Sequence, residues 1–166
     1  MTFEIQVRYS TPLTPLRDVD QVLKEFLVQL GYLPEGEPPE RSVAYRLVRG
    51  CLLRNPERLW YAEELLSVLK TSKPTLYRHL NKLKTLDLLE EVSETRESAR
   101  GRKGYRLRYG NLSRAWDFVE ANAQNALKRY RETVDHLQGL LEEERRSARP
   151  PKDPDGKLPS VPAASR

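Results

Sequence analysis

The apolar residues between positions 61 and 86 follow the spacing of two short helices separated by a tight turn. The first helix has Ala62, Leu65, Leu66 and Leu69 on one face, and the second has Leu76, Leu80 and Leu83. Between them, Lys70–Ser72 breaks the pattern. Ser72 is a good N-cap, and Pro74 lies in the first turn of the second helix, where its missing N–H costs nothing. The pattern therefore predicts a helix-turn-helix.

The segment that follows predicts a β-hairpin with a positively charged loop. Leu86–Val92 alternates loosely between apolar and polar residues, and Tyr105–Tyr109 alternates again as Tyr, Arg, Leu, Arg, Tyr. The segment between them, Ser93–Lys103, is polar. Its cations are Arg96, Arg100, Arg102 and Lys103. We therefore expect two antiparallel strands with these cations at the exposed end of the hairpin.

The helices and the basic hairpin together carry a family resemblance. The residues SKPTLYRHLNKLKTLDLLEE, followed by GRKGYRLR, resemble the winged helix-turn-helix of ArsR-, GbsR- and MarR-like transcription regulators. The resemblance covers residues 60–109, less than a third of the chain. The sequence departs from these families at Lys70 and Thr71, where they usually have a glycine and then an apolar residue. The resemblance implies a mostly helical fold with a small β wing.

A winged helix-turn-helix implies a way of binding double-stranded DNA. Its second helix, here Lys73–Lys82, enters the major groove, while the wing lies on the backbone or the adjacent minor groove. The residues expected to contact DNA are Ser72, Lys73, Thr75, Tyr77, Arg78, Asn81, Lys82, Arg100, Arg102 and Lys103. Arg78 points almost opposite the leucine stripe, and arginine can form paired hydrogen bonds with guanine. We therefore expect sequence-specific DNA binding by a transcription regulator.

The residues before this unit predict a strand and two further helices. Thr2–Tyr9 alternates cleanly, which indicates a strand that needs a partner edge. A helix with Thr14 as its cap is expected to end at Gly31. Tyr32–Glu40 is rich in proline, glycine and glutamate and is predicted to be a linker. Ser42 is expected to begin the first helix of the winged domain.

The residues after the hairpin predict one long helix that forms a homodimer. Leu112 to about Arg146 contains no proline, and its apolar residues follow a seven-residue repeat. The residues expected at the dimer interface are Trp116, Val119, Ala123, Ala126, Leu127, Tyr130, Val134, Leu137 and Leu141. A stripe this wide is too apolar to face water along its whole length, so a second copy is expected to cover it.

These elements divide the chain into four predicted segments. They are an N-terminal strand and helix at 1–36, a winged helix-turn-helix DNA-binding domain at 37–110, a long dimerisation helix at 111–147, and a disordered tail at 148–166. The tail is predicted from its many prolines and its lack of periodicity. The fold class is therefore mostly α with a small β wing, an N-terminal strand-helix extension and a long C-terminal dimerisation helix.

Composition adds little to this picture. Of the 166 residues, 38% are hydrophobic and 32% are charged, and the net charge of +5 permits binding to a polyanion. The single cysteine, Cys51, lies in an apolar helical run and is expected in the core, which fits a reducing compartment. No apolar run approaches the length of a membrane span, and residues 1–10 do not form a signal peptide. We therefore expect a cytoplasmic protein that contacts no membrane.

The sequence leaves alternatives to DNA binding open. Winged domains also dock on proteins, so a module that binds the transcription or replication machinery is one alternative. An enzyme acting on nucleic acid is another, but no metal-ligand spacing, phosphate loop or nucleophile beside a base occurs, so we expect no catalysis, metal or cofactor. His79 is expected to be a half-buried helix residue. The aromatic residues Phe3, Tyr9, Phe26, Tyr32, Trp116 and Tyr130 are expected in a dimer core, with a pocket for an unknown effector as the alternative.

Overall fold

The computed structural model describes residues 3–7, 10–94 and 101–149. The helices are α1 Val19–Gln29, α2 Val43–Arg46, α3 Ala62–Leu69, α4 Lys73–Thr85 and α5 Leu112–Ser147. The strands are β1 Trp60–Tyr61, β2 Leu89–Glu94 and β3 Arg102–Leu107. A π-helical segment, Leu47–Leu52, continues α2, and a short 3-10 turn, Arg108–Gly110, precedes α5. The predicted fold class, mostly helical with a small antiparallel sheet and a long C-terminal helix, is confirmed, as is the winged helix-turn-helix within it.

The three strands form an antiparallel sheet in the order β1-β3-β2. Strand β3 pairs with β2 from Leu89 opposite Leu107 to Glu94 opposite Arg102, and its Gly104 lies opposite Tyr61 of β1. A side chain at Gly104 would overlap the side chain of Leu59, so a larger residue fits this strand position only when Leu59 moves. The sheet is therefore the wing of the domain, held on one edge by the segment before α3.

The leucines of the two central helices form the middle of the core, as their spacing predicts. The fully buried members are Leu65, Leu69, Leu76 and Leu80, with Leu83 almost as buried. Leu89, Tyr105 and Leu107 of the sheet join the same cluster. Cys51 is fully buried beside them, and this burial raises the pKa of its thiol, as expected for a core cysteine.

The turn between α3 and α4 forms without the glycine that is usual in the families the sequence resembles. Lys70 adopts a left-handed conformation with φ 48°, and its N–H donates to the carbonyl of Leu66 at 3.0 Å. This is the conformation in which glycine ordinarily ends a helix. Two residues later Ser72 caps α4, accepting the N–H of Thr75 at 3.4 Å, and Pro74 lies in the first turn. The departure at Lys70 therefore leaves the turn intact.

The predicted N-terminal strand is absent from residues 3–7. Phe3 and Ile5 are partly buried and pack on the core, and the N–H of Glu4 donates to the carbonyl of Thr85 at 3.0 Å. Strand pairing requires a repeated ladder of hydrogen bonds, and residues 3–7 do not form one. Their alternation of apolar and polar residues therefore reflects one face that packs on the domain. Thr2, Arg8 and Tyr9 lie outside the described residues.

Helix α1 begins later than the sequence predicts. Thr14 and Pro15 lie in a turn closed by the N–H of Leu16 donating to the carbonyl of Leu13 at 3.0 Å. The cap is Asp18, whose carboxylate accepts the N–H of Gln21 at 2.7 Å. A carboxylate is a strong N-cap and also complements the helix dipole, which favours Asp18 over Thr14.

A polar cluster around Asp87 holds the start of α5 against the base of the wing. Asp87 has φ 59° in the turn between α4 and β2. Its backbone carbonyl accepts the Nε–H of Arg108 at 2.7 Å, and its carboxylate accepts the side-chain amide of Asn122 at 2.7 Å. Three segments distant in sequence are therefore joined at one residue.

The chain divides into two compact units, residues 1–124 and 125–166. The first contains the sheet, α1 to α4 and the first turns of α5. In the second, the described residues 125–149 continue α5 to Ser147, so the predicted long helix is confirmed. The residues predicted as a tail, 150–166, lie outside the described part of the chain. Among the described helices, none is long and apolar enough to cross a membrane.

Candidate nucleic-acid interface

Helix α4 buries its leucines and exposes a polar face. Of the residues predicted to contact DNA, Lys73, Arg78, Asn81 and Lys82 of this helix are exposed, together with its cap Ser72. Thr75 and Tyr77 are partly buried. Arg78 has no ion-pair partner among the described residues, so its guanidinium is available to a ligand. The predicted recognition helix is therefore present with its cationic side facing solvent.

Two of the predicted contact residues also hold the start of α4. The Ser72 hydroxyl donates to the Thr75 hydroxyl at 2.9 Å while accepting the Thr75 N–H. These bonds satisfy one of the free N–H groups at the helix N-terminus. Ser72 and Thr75 therefore shape the end of the recognition helix that is expected to enter the groove.

The wing cations lie on β3 and are paired with acidic residues. Arg102 contacts Glu63 at 3.5 Å, and its guanidinium lies 4.3 Å from the centre of the Tyr61 ring. Lys103 pairs with Glu91 at 2.9 Å. Both cations remain more than half exposed, so each can still meet a phosphate. Arg100, the third predicted wing residue, lies outside the described residues.

Glu91 connects the recognition helix to the wing, a role that the sequence did not reveal. Its carboxylate pairs with Lys84 at the end of α4 and with Lys103 on β3. These two cations lower the pKa of Glu91, and Glu91 in turn raises the pKa of Lys103. The preceding residue, Glu90, pairs with Arg106 of β3. Glu91 therefore links α4 to the wing, whereas the Glu90 pair lies within the sheet.

Tyr77 faces the same side of α4 as Lys84. Its partly buried ring packs against the core, and it lies near Tyr105 of β3. Burial, with Tyr77 and Glu91 close by, raises the pKa of Tyr105 to about 12. Tyr77 therefore contributes to the contact between helix and wing as well as to the predicted DNA surface.

The opposite side of α4 faces the segment that leads from α1 to α2. Lys82 donates to the carbonyl of Gly31, and its ammonium lies 5.7 Å from the centre of the Tyr32 ring. His79 is half buried, as predicted, and meets Tyr32 edge to face at 5.7 Å. Burial, with Arg78 and Lys82 nearby, lowers the pKa of His79. Lys82 is therefore held toward this flank of the helix.

An open cleft of about 590 Å³ lies on this flank. Its α4 wall consists of Thr75, Arg78, His79 and Lys82. The facing wall is built by residues 31–44. Its uncharged lining residues include Tyr32, Ser42 and Val43, and its charged ones are Glu35, Glu37 and Arg41. We call this space the flank cleft. It is a second polar surface beside the recognition helix, away from the wing.

The predicted dimerisation residues fall into two environments. In the first unit, Val119 is fully buried, and Trp116 packs edge to face on Phe26 with ring centres 5.4 Å apart. Val119 therefore belongs to the core of its own chain, and its assignment to a dimer interface is corrected. Trp116 is only partly buried, and its assignment stays a prediction. In the second unit, Leu127, Tyr130, Val134, Leu137 and Leu141 are exposed. Ala123 and Ala126 are partly exposed.

The described members of the six aromatic residues, which the sequence predicts in a dimer core, have the following surroundings within one chain. Phe26 pairs with Trp116 and Tyr32 with His79, while Tyr130 is 71% exposed. Phe3 is partly buried against the core, and Tyr9 lies outside the described residues. Most of these rings therefore serve local packing.

Solved structures similar to this chain include three that are described below, whereas no family model and no curated protein matches it. A possible transcriptional regulator from Methanosarcina mazei Go1 is 16% identical over 71% of this chain and 87% of its own, with a TM-score of 0.43. A PadR-like transcription factor from Bacteroides fragilis is 27% identical over 51% and 82%, with a TM-score of 0.32. S. aureus MepR in a DNA-binding conformation is 13% identical over 78% and 90%, with a TM-score of 0.36. The function proposed below rests on the geometry of the chain itself.

Proposed function

We propose that this protein is a homodimeric transcription regulator that binds double-stranded DNA in a sequence-specific manner. The observation that carries the proposal is the exposed cationic face of α4 next to the basic strand β3, joined through Glu91. A helix of this kind fits the major groove, and the phosphates on either side of the groove meet the flanking cations. The function requires no metal or cofactor.

The two sets of cations suit two different tasks in this proposal. Arg78, exposed and without an ion-pair partner among the described residues, is suited to contact the edge of a guanine. Arg102 and Lys103 are held by Glu63 and Glu91 along the wing, which suits contact with phosphates. Phosphate contacts position the protein, and base contacts supply sequence specificity.

The second half of α5 supports the homodimer. Its exposed apolar residues Leu127, Tyr130, Val134, Leu137 and Leu141 are separated by alternating intervals of three and four residues. This is the spacing of a seam that a second helix covers in a coiled coil. Two-fold symmetry then implies a binding site with inverted-repeat half-sites.

The test begins with selection of bound fragments from the genomic DNA of the source organism. A selected duplex and a scrambled duplex of equal length are then titrated at three salt concentrations. We expect tighter binding to the selected duplex and a steep loss of affinity for both as salt rises. If wild-type protein bound neither duplex at low salt, the proposal would be wrong, and docking of the winged domain on a protein would become the better explanation.

A further inference from the structure

We propose that the flank cleft is a third part of the DNA interface, in which Arg41 holds a backbone phosphate on the side of α4 away from the wing. The inference rests on the proposed DNA binding and deepens it. It assigns a ligand contact to a segment that the sequence predicts only as a linker followed by a helix cap.

The side chains of α4 separate the two flanks. Tyr77 and Lys84, seven residues apart, turn toward the wing, where Lys84 pairs with Glu91. Thr75, His79 and Lys82 follow the spacing i, i+4, i+7 and line the flank cleft. When a helix lies in the major groove, a phosphate backbone passes along each of its sides. One backbone therefore faces the wing, and the other faces the flank cleft.

Arg41 is held in place by the backbone around it. The N–H of Arg41 donates to the carbonyl of Pro38 at 3.1 Å, and the N–H of Ser42 donates to that of Pro39 at 3.1 Å. The two prolines have fixed φ angles, so this turn loses little further freedom on binding. Ser42 then caps α2 by accepting the N–H of Tyr45 at 3.3 Å. The Arg41 side chain therefore leaves from a rigid point at the cleft.

Two cations of the flank cleft are available to one phosphate. Arg41 and Lys82 both line it, and Arg41 has no ion-pair partner among the described residues. Lys82 is oriented by its bond to the Gly31 carbonyl and keeps further N–H groups for a ligand. The lowered pKa of His79, caused by burial and by Arg78 and Lys82, is consistent with an excess of positive charge on this wall.

Two carboxylates in the same cleft would weaken the binding of a phosphate. Substitutions of opposite sign in the cleft should therefore have opposite effects on DNA affinity. Glu35 and Glu37 line the cleft without an ion pair to Arg41 or Arg78. A phosphate bound there would be repelled by them at short range. Removing one of these negative charges should therefore strengthen DNA binding, whereas removing Arg41 should weaken it.

The experiment compares Arg41→Ala, Arg41→Lys and Glu37→Gln with wild type in the duplex titrations. Arg41→Ala should lower affinity for selected and scrambled duplexes alike, and should reduce the slope of log affinity against log salt by roughly one unit. Arg41→Lys should restore most of the slope, because the contact needs a charge. Glu37→Gln should raise the affinity for both duplexes. Arg17→Ala, which removes an exposed arginine from a different surface, should change nothing.

Failure of this inference differs from failure of the proposed function. If wild type binds DNA and Arg102→Ala with Lys103→Ala reduces the salt slope, but Arg41→Ala does not, the flank cleft takes no DNA phosphate. If inorganic phosphate raises the melting temperature of wild type but not of Arg41→Ala, while duplex binding is unchanged by the substitution, the cleft binds a free anion and the assignment to DNA is wrong. Equal melting temperatures without ligand establish that both proteins are folded.

Discussion

Helices α4 and the second half of α5 expose faces of opposite chemistry. On α4 the exposed residues are Lys73, Arg78, Asn81 and Lys82, whereas on α5 they include Leu127, Tyr130, Val134 and Leu137. Charged side chains remain solvated at a protein surface, so the face of α4 is stable without a partner. The apolar stripe of α5 contributes to stability only when another surface covers it and removes it from water. The first face therefore suits a polyanion, and the second suits another apolar surface.

The largest effect is expected from charged substitutions in the apolar stripe of α5, which should prevent self-association. Tyr130→Glu combined with Leu137→Glu should abolish self-association at micromolar concentration, because two charges would be buried at the seam. Arg129→Glu combined with His136→Glu is the matched control, with the same seven-residue separation at other exposed positions of α5. Light scattering coupled to gel filtration measures the mass of each. If the wild-type protein were monomeric, the apolar stripe of α5 would not be a dimer interface, and the prediction would be wrong.

Substitutions of the exposed cations on α4 and the wing should change DNA binding and leave self-association unchanged. Arg78→Ala should reduce the preference for the selected over the scrambled duplex by about 1–3 kcal/mol, the usual worth of a paired arginine–guanine contact. Arg102→Ala with Lys103→Ala should leave that preference nearly unchanged and flatten the salt dependence. Equal losses on both duplexes for Arg78→Ala would assign Arg78 to the backbone.

The buried half of α5 should behave as core. Val119→Ala removes two buried carbons and should lower the free energy of unfolding by about 1.5 kcal/mol or more. This loss should not depend on protein concentration, because Val119 packs within its own chain. Leu127→Ala, at an exposed position of the same helix, should instead lower stability in a concentration-dependent way. Chemical denaturation at two protein concentrations distinguishes the two variants. If both losses of stability depended on concentration in the same way, the two halves of α5 would not differ in their packing.

The smallest effect concerns the link between α4 and the wing. Because Lys84 and Lys103 lower the pKa of Glu91 in the folded protein, its contribution to stability is present above the unfolded pKa and is lost as pH falls through the lower folded value. Glu91→Gln should therefore be less stable than wild type near neutral pH, and the difference should shrink below about pH 4. Melting temperatures from pH 7 to pH 3 measure this. A difference that is constant with pH would exclude the ion pairs as its source.

The spacing of the leucines predicted the helices of the winged domain, because the period of an apolar stripe depends only on residues within the same helix. Leu65, Leu76 and Leu80 are buried as their periodicity requires, and Ser72 caps α4. The same reasoning predicted that α5 would be one long helix. It did not show that Val119 turns inward, because a heptad pattern is the same whether the covering surface belongs to the same chain or to a partner.

The remaining features depend on contacts between residues far apart in sequence. The pairing of Glu91 with both Lys84 and Lys103 follows from the register of β2 and β3, which the sequence does not state. The bond between Asp87 and Asn122 spans thirty-five residues. Residues 3–7 alternate like a strand, yet their position is set by packing against the core. The flank cleft likewise becomes visible only when residues 31–44 are folded beside α4.

Gly104 has a consequence for how mutants of this protein are to be interpreted genetically. Any other amino acid there forces Leu59 away from the wing, although Gly104 carries no charge and no side chain that could touch a ligand. In a saturation screen for the proposed DNA binding, substitutions at codon 104 would lower the score by displacing Leu59, and those at codon 78 would lower it by removing a contact. An inactive allele in the hairpin can therefore reflect either a lost contact or a displaced strand. Only alleles that retain the melting temperature of wild type map the proposed DNA-binding surface.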